Sequence, residues 1–160
     1  MALLGALLLA GCAGPKYTVD DGRPVNPQLL EQIRLYGQGE QALRPAIRRS
    51  AALQDPDCSH QWELPFTLAS SKGWEENDRV AWMRALGVDE RLTVVATSAD
   101  SPLPKGARVT DIDGYTSSDP ADLLERLGRL RDRGDAFELN AKTPQPVKVQ
   151  PFEVCRGYTR

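Results

Sequence analysis

The sequence predicts an α+β fold: a small, partly open β-barrel or sheet capped by helices and preceded by a helical N-terminal region. Three observations lead there. Between residues 26 and 86, apolar side chains recur at helical spacing beside recognisable caps. From 91 to 152 the pattern changes to short β-rich runs separated by turn residues. One leucine-striped helix, at 119–134, interrupts those runs.

Asn26-Pro27 reads as an N-cap followed by proline at the first helical position. Leu29, Leu30, Ile33 and Tyr36 follow at helical spacing, and Gly37 and Gly39 are expected to close that helix. A second helical piece is expected from about Glu40 to Leu53, starting or bending at Pro45 and ended by Asp55-Pro56-Asp57. The two pieces would form a helical hairpin. Gln61 to Leu68 fits a strand that Pro65 places on an edge. Glu75 to Leu86 is a helix with Val80, Met83 and Leu86 on one side and Gly87 at its C-terminal position. "RLTVVAT" (91–97) and "ARVTDIDG" (107–114) are strands, the second ending in an Asp-Gly turn. Asp119 caps the best-specified helix. Pro120 starts it, Asp122 adds first-turn negative charge, Leu123, Leu124, Leu127 and Leu130 line it, and Gly134 follows it. "AFELNA" and "PVKVQPF" complete the sheet. Trp62, Trp74 and Trp82 fall at the junction between helices and sheet.

Composition narrows the function. A net charge of −2 argues against a nucleic-acid partner, which needs a basic face. Arg48-Arg49 and the arginines from Arg126 to Arg133 read as solvated helix faces. From Ala2 to Ala10 every residue is Leu, Ala or Gly, a run too short to cross a hydrocarbon core about 30 Å thick. It has the form of a secretory leader ending at a small-residue site.

The end of that run, Leu9-Ala10-Gly11-Cys12, resembles the lipobox of bacterial lipoproteins. The resemblance implies cleavage before Cys12, acylation of Cys12 and a membrane anchor. No Lys or Arg precedes Cys12, so the basic start of such leaders is missing. In lipoproteins an aspartate after the cysteine favours inner-membrane retention. Ala13 there implies an outer-membrane address facing the periplasm. With Cys12 assigned to lipid, Cys58 and Cys155 remain as an even pair in an oxidising compartment. Pairing them would close a loop of nearly a hundred residues, worth roughly 4.5 kcal/mol by chain entropy; two unrelated buried thiols are the other reading.

Ser101-Pro102, Gly106-Ala107-Arg108-Val109, Ile112-Asp113-Gly114, Asp122-Leu123-Leu124 and Leu127 together resemble a bacterial PDZ domain. The resemblance covers roughly residues 85–152. It implies a groove between the leucine helix and a strand edge, to which a partner's extended C-terminus adds by main-chain hydrogen bonds. Ala85-Leu86-Gly87-Val88 is similar to the family's carboxylate-binding loop, although Gly87 also fits a plain helix cap. The implied peptide-binding residues are Leu86, Gly87, Val88, Leu92 and Leu124. Two departures stand: only Leu103, Pro104 and Lys105 occupy the place of a short helix, and Ala107 replaces an aspartate. The expected division is 1–11 leader, 12–26 tether, 27–84 helical region, 85–155 PDZ-like domain and 156–160 tail.

The plan also resembles the N-terminal part of PDZ-containing, HtpX-like zinc metallopeptidase lipoproteins, with "PFEVC" as the cysteine after the last strand. That implies the accessory half of an envelope peptidase. Zinc catalysis there needs two histidines one helical turn apart with a glutamate between. This sequence has one histidine, His60, so no catalytic residue and no cofactor is assigned, and an enzyme is expected only if the protein continues past Arg160. Cys58-x-His60 with Cys155 is a weak metal set, and Ser70-Ser71-Lys72 a weak dyad whose adjacent residues share no face. The expected function is protein or peptide binding by a lipid-anchored envelope protein. A structural spacer or complex subunit is the alternative.

Overall fold

The computed structural model describes residues 16–53, 55–141 and 143–155. The leader, Cys12 and the 156–160 tail lie outside the described residues. The fold is α+β, with three helices and open antiparallel sheets, and no sheet closes into a barrel among the described residues.

Helix α1 (Pro27–Ser50) runs unbroken for 24 residues, its first turn held by Asn26 Oδ1, which accepts from the amides of Gln28 and Leu29. The expected hairpin is therefore one helix. Gly37 does not end it, because that position is needed for close approach: a Cβ there would sit 2.5 Å from Leu86 Cδ2. Pro45 is absorbed inside the helix, where it leaves the Gln41 carbonyl without its usual amide donor.

The segment expected as one strand at 61–68 divides at Leu64-Pro65 into β1 (His60–Glu63) and β2 (Phe66–Ala69). Proline lacks the amide a continuous ladder would need, and the two halves join different sheets. These strands lie within the part read as helical. Helix α2 (Glu76–Leu86) then packs against α1, and Gly87 caps it in the left-handed region at φ 69°. Next come β3 (Leu92–Thr97), β4 (Arg108–Val109), β5 (Asp111–Ile112) and β6 (Tyr115–Thr116). Asp113 (φ 50°) and Gly114 (φ 74°) make the β5–β6 turn, both with the positive φ that a two-residue I′ hairpin demands. Helix α3 (Pro120–Arg133), β7 (Phe137–Asn140), β8 (Val147–Val149) and β9 (Phe152–Cys155) complete the chain.

Three sheets result, ordered β1-β9, β2-β3-β4 and β6-β5-β7-β8. Val109 pairs with Leu92 while Asp111 pairs with Asn140, so the chain changes sheets at Thr110. "PVKVQPF" likewise breaks at Gln150-Pro151, sending β9 to pair with β1. The core cluster joins Leu92 and Val94 of β3 to Ile112, Leu123, Leu127, Leu139 and Val149. Each such side chain contributes about 1.5–3 kcal/mol by leaving water. Val95 of β3, the strand that α1 packs against, is equally buried. A strand buried on both faces reads as a continuous apolar run, and "LTVVA" does.

Candidate functional site

Helix α3 follows the sequence closely. Asp119 Oδ1 accepts from the Ala121 amide at 2.9 Å, and Leu123, Leu127 and Leu130 are buried. Leu124 sits a residue off that stripe and stays 44% exposed. There it lines a groove of about 340 Å³ with Leu127, Gly128 and Arg131 of the same helix. Phe66, Thr67 and Leu68 of β2 form the facing wall, and Glu40, Leu43, Arg44 and Ile47 of α1 form a third. Strand β2 is the edge of its sheet: β3 pairs with one side, and no strand pairs with the other among the described residues.

The other four expected binding residues do not line this groove. Val88 and Leu92 are fully buried, and Leu86 packs on Gly37. The Gly87 amide donates to Met83 O at 2.9 Å and its carbonyl accepts from Arg108 Nη2 at 3.2 Å, so its polar groups are engaged in closing α2. Strand β3 cannot receive a further strand, since β2 and β4 occupy its two edges. The strand edge beside α3 is that of β2. Pro65 marked this edge in the sequence, but the apolar pair Leu64 and Phe66 gave no signal of a groove.

Charges shape the third wall. Arg44 is buried, and its guanidinium donates to Ser98 Oγ (3.2 Å from Nε, 3.1 Å from Nη2) and to the Leu64 carbonyl. Burial pulls its pKa down against the opposing pull of Glu63 and Glu40. Burial likewise raises the Glu63 carboxyl, despite Arg131 and Arg44 nearby and an amide bond from Gln61. Glu40 Oε2 accepts from Thr67 Oγ1 at 3.0 Å, linking α1 directly to β2. Gln41 continues the end of β3 like a strand partner: its Nε2 donates to Thr97 O and its Oε1 accepts from Thr97 N.

No family model, curated protein or solved structure matches the chain. The groove's chemistry is that of its own residues. They offer apolar contact along α3 and β2, a free strand edge and balanced charge, which suits an extended polypeptide rather than a small charged ligand.

Elsewhere, Cys58 and Cys155 lie at disulfide distance, with Cα atoms 5.6 Å apart and a sequence separation of 97. His60 stands beside them on β1, its Nδ1 3.6 Å from Glu153 Oε1. Among the described residues no three His, Cys, Asp or Glu side chains gather as metal ligands. The Ser70-Ser71-Lys72 groups diverge: Ser70 Oγ donates to Glu90 O while Lys72 Nζ pairs with Asp119 at 3.0 Å. Trp82 lies at the α1–α2 junction, within 5.9 Å of the Tyr36 ring and 5.8 Å of Trp74. Trp62 instead packs on Gly134 at the end of α3.

Proposed function

We propose that the chain is a lipid-anchored periplasmic protein whose PDZ-like domain binds an extended protein segment. The segment adds as a strand to the outer edge of β2, with α3 as the opposite wall. The observation that carries this reading is the pairing of an unoccupied strand edge with an exposed leucine on an amphipathic helix across one groove. Main-chain hydrogen bonds to the edge supply affinity, and side-chain contacts with Leu124 and Leu68 supply selection. On this reading Val88 and Leu92 belong to the buried interior, Leu86 and Gly87 close α2, and Leu124 is the residue that meets the ligand. Cys12 carries the acyl anchor, and an oxidising periplasm keeps Cys58 and Cys155 bonded.

The test is titration of the protein with a library of peptides bearing free C-termini, followed by fluorescence anisotropy. Leu124→Asp should lower the affinity of any binder at least about tenfold, as expected for removing an apolar anchor worth about 1.4 kcal/mol, while leaving the far-UV spectrum unchanged. Absence of binding across the library, or binding indifferent to Leu124, overturns the groove. The anchor has its own test: a fatty-acid probe should label the wild type and not Cys12→Ser.

A further inference from the structure

The stretch 12–26 has the composition of a loose tether, but from Tyr17 onward it is strapped to the fold. The Arg91 guanidinium stacks on the Tyr17 ring at 4.0 Å. The Thr18 amide and hydroxyl both donate to the Glu90 carboxylate, at 2.9 and 2.6 Å. Asp20 pairs with Arg84 at 2.7 Å, and Arg23 reaches Glu76 at 2.6 Å. These contacts run along α2 and the loop before β3.

The strap fixes where an anchor must be. Five residue steps separate Cys12 from Tyr17, and a chain that long spans at most about 18 Å. A domain of this size has a radius of gyration of roughly 14 Å, so the leash is shorter than the domain is wide. Beside the strap's first residues lies a cleft of about 230 Å³ bordered by Lys16, Arg91, Ser118 and the start of α3. Glu90, the carboxylate nearest to it, is already held by Thr18 and by Arg79 at 3.2 Å. Asp89 is buried between Arg91 and Arg108, one carboxylate against two cations. Lys16, over the Tyr17 ring at 5.4 Å, adds another exposed cation.

We propose that this face, centred on Lys16, Tyr17, Arg91 and Ser118, rests on the phospholipid headgroups of the membrane that holds Cys12. The proposal rests on the lipoprotein reading above. Cations and a hydroxyl beside the anchor fit headgroup phosphates, whose attraction acts within a Debye length of about 8 Å. Helix α3 carries both surfaces: Pro120 and Leu123 border the cleft, and Leu124, Leu127, Gly128 and Arg131 line the groove. At about 1.5 Å per residue, a segment bound in the groove is held close to the bilayer, so its natural source is the membrane-proximal part of an envelope protein.

The test uses the full chain, oxidised so that Cys12 is the free thiol, coupled to maleimide-phosphatidylethanolamine in phosphatidylglycerol-containing nanodiscs. Nitroxide-headgroup lipid then bleaches nearby amide signals. Signals of residues 16–19, 90–91 and 117–118 should be lost while those near Ala51 and His60 survive. Loss spread evenly, or concentrated elsewhere, overturns the proposed face. Lys16→Glu, at an exposed position, should recover part of the signal at 117–118; an unchanged pattern overturns the headgroup contact. Failure of fatty-acid labelling at Cys12 in cells, alongside the expected bleaching on nanodiscs, would sink the anchor and leave the surface standing.

Discussion

Gly37 and Gly39 stand two residues apart in α1, and alanine should act oppositely at them. At Gly39, which is exposed, an added Cβ meets nothing within 4 Å. Gly39→Ala should therefore gain the helix propensity that glycine forfeits, about 1 kcal/mol. For a chain of this length that is a rise in Tm of about 3 °C. Gly37→Ala gains the same propensity, but its methyl would lie 2.5 Å from Leu86 Cδ2 and 3.2 Å from Cδ1. Overpacking of that kind costs about 1–3 kcal/mol, so the net effect runs from near zero to about 2 kcal/mol of destabilisation. Denaturant unfolding followed by circular dichroism, with equal m-values, measures the difference. Leu86→Ala supplies the control, since a double-mutant cycle should assign the Gly37 penalty to that one contact. Equal effects at the two glycines, or destabilisation by Gly39→Ala, would refute a continuous α1 packed on α2 through Gly37.

Gly128 faces the groove with nothing within 4 Å of an added Cβ, so Gly128→Ala should raise Tm by about 3 °C through propensity while weakening peptide binding in the same titration. Acid should release the strap: Arg84 and then the Gly22 amide hold the Asp20 carboxyl down at about 2 from its ordinary 3.8, and Arg23 holds Asp21 low. A depressed carboxylate stabilises above its ordinary pKa and loses that effect as pH falls through its folded value. Cleavage within 17–25 by pepsin should accordingly rise sharply between pH 4 and about 2, before the core unfolds. Reducing the Cys58–Cys155 pair should cost about 2–5 kcal/mol, seen as a drop in the denaturant midpoint that iodoacetamide-trapped protein retains.

What the sequence reveals here depends on whether local chemistry alone decides a position. Asn26-Pro27, Asp119-Pro120, Asp113-Gly114 and Gly87 each satisfy a backbone requirement within a few residues, and each stands where expected. Helix α1 reads as two pieces because Gly37, Gly39 and Pro45 look like breaks, and its inward stripe of Ile33, Gly37, Glu40 and Arg44 is too polar to carry the helix across them, while Leu35 and Leu43 face outward. Periodicity arguments need an apolar inner face, and here a neighbouring leucine and polar partners on distant strands replace it. The strap was invisible for a related reason: Tyr17, Thr18 and Asp20 find their partners 61 or more residues away. Leu124 was legible as part of the leucine helix, whereas the strand of Leu92 is central between β2 and β4, and only pairing partners tell a central strand from an edge.

The core cluster draws nothing from α1, and its members fall between Leu64 and Val149. Helix α1 nevertheless supplies one wall of the groove and meets β2 and β3 through Glu40, Gln41 and Arg44. A buried guanidinium bonded to neutral oxygens is a costly way to attach a helix, and apolar packing would do so more stably. Its geometric effect is specific: one side chain joins the Leu64 carbonyl before β2 to Ser98 after β3. That contact holds the entrance of the edge strand fixed relative to α1, and Pro65 stiffens the same turn. One wall of the groove is therefore placed by a helix that contributes nothing to the main core cluster. On the proposed reading, selection among extended ligands would belong to the junction of α1 with the strand edge as much as to the leucine helix opposite.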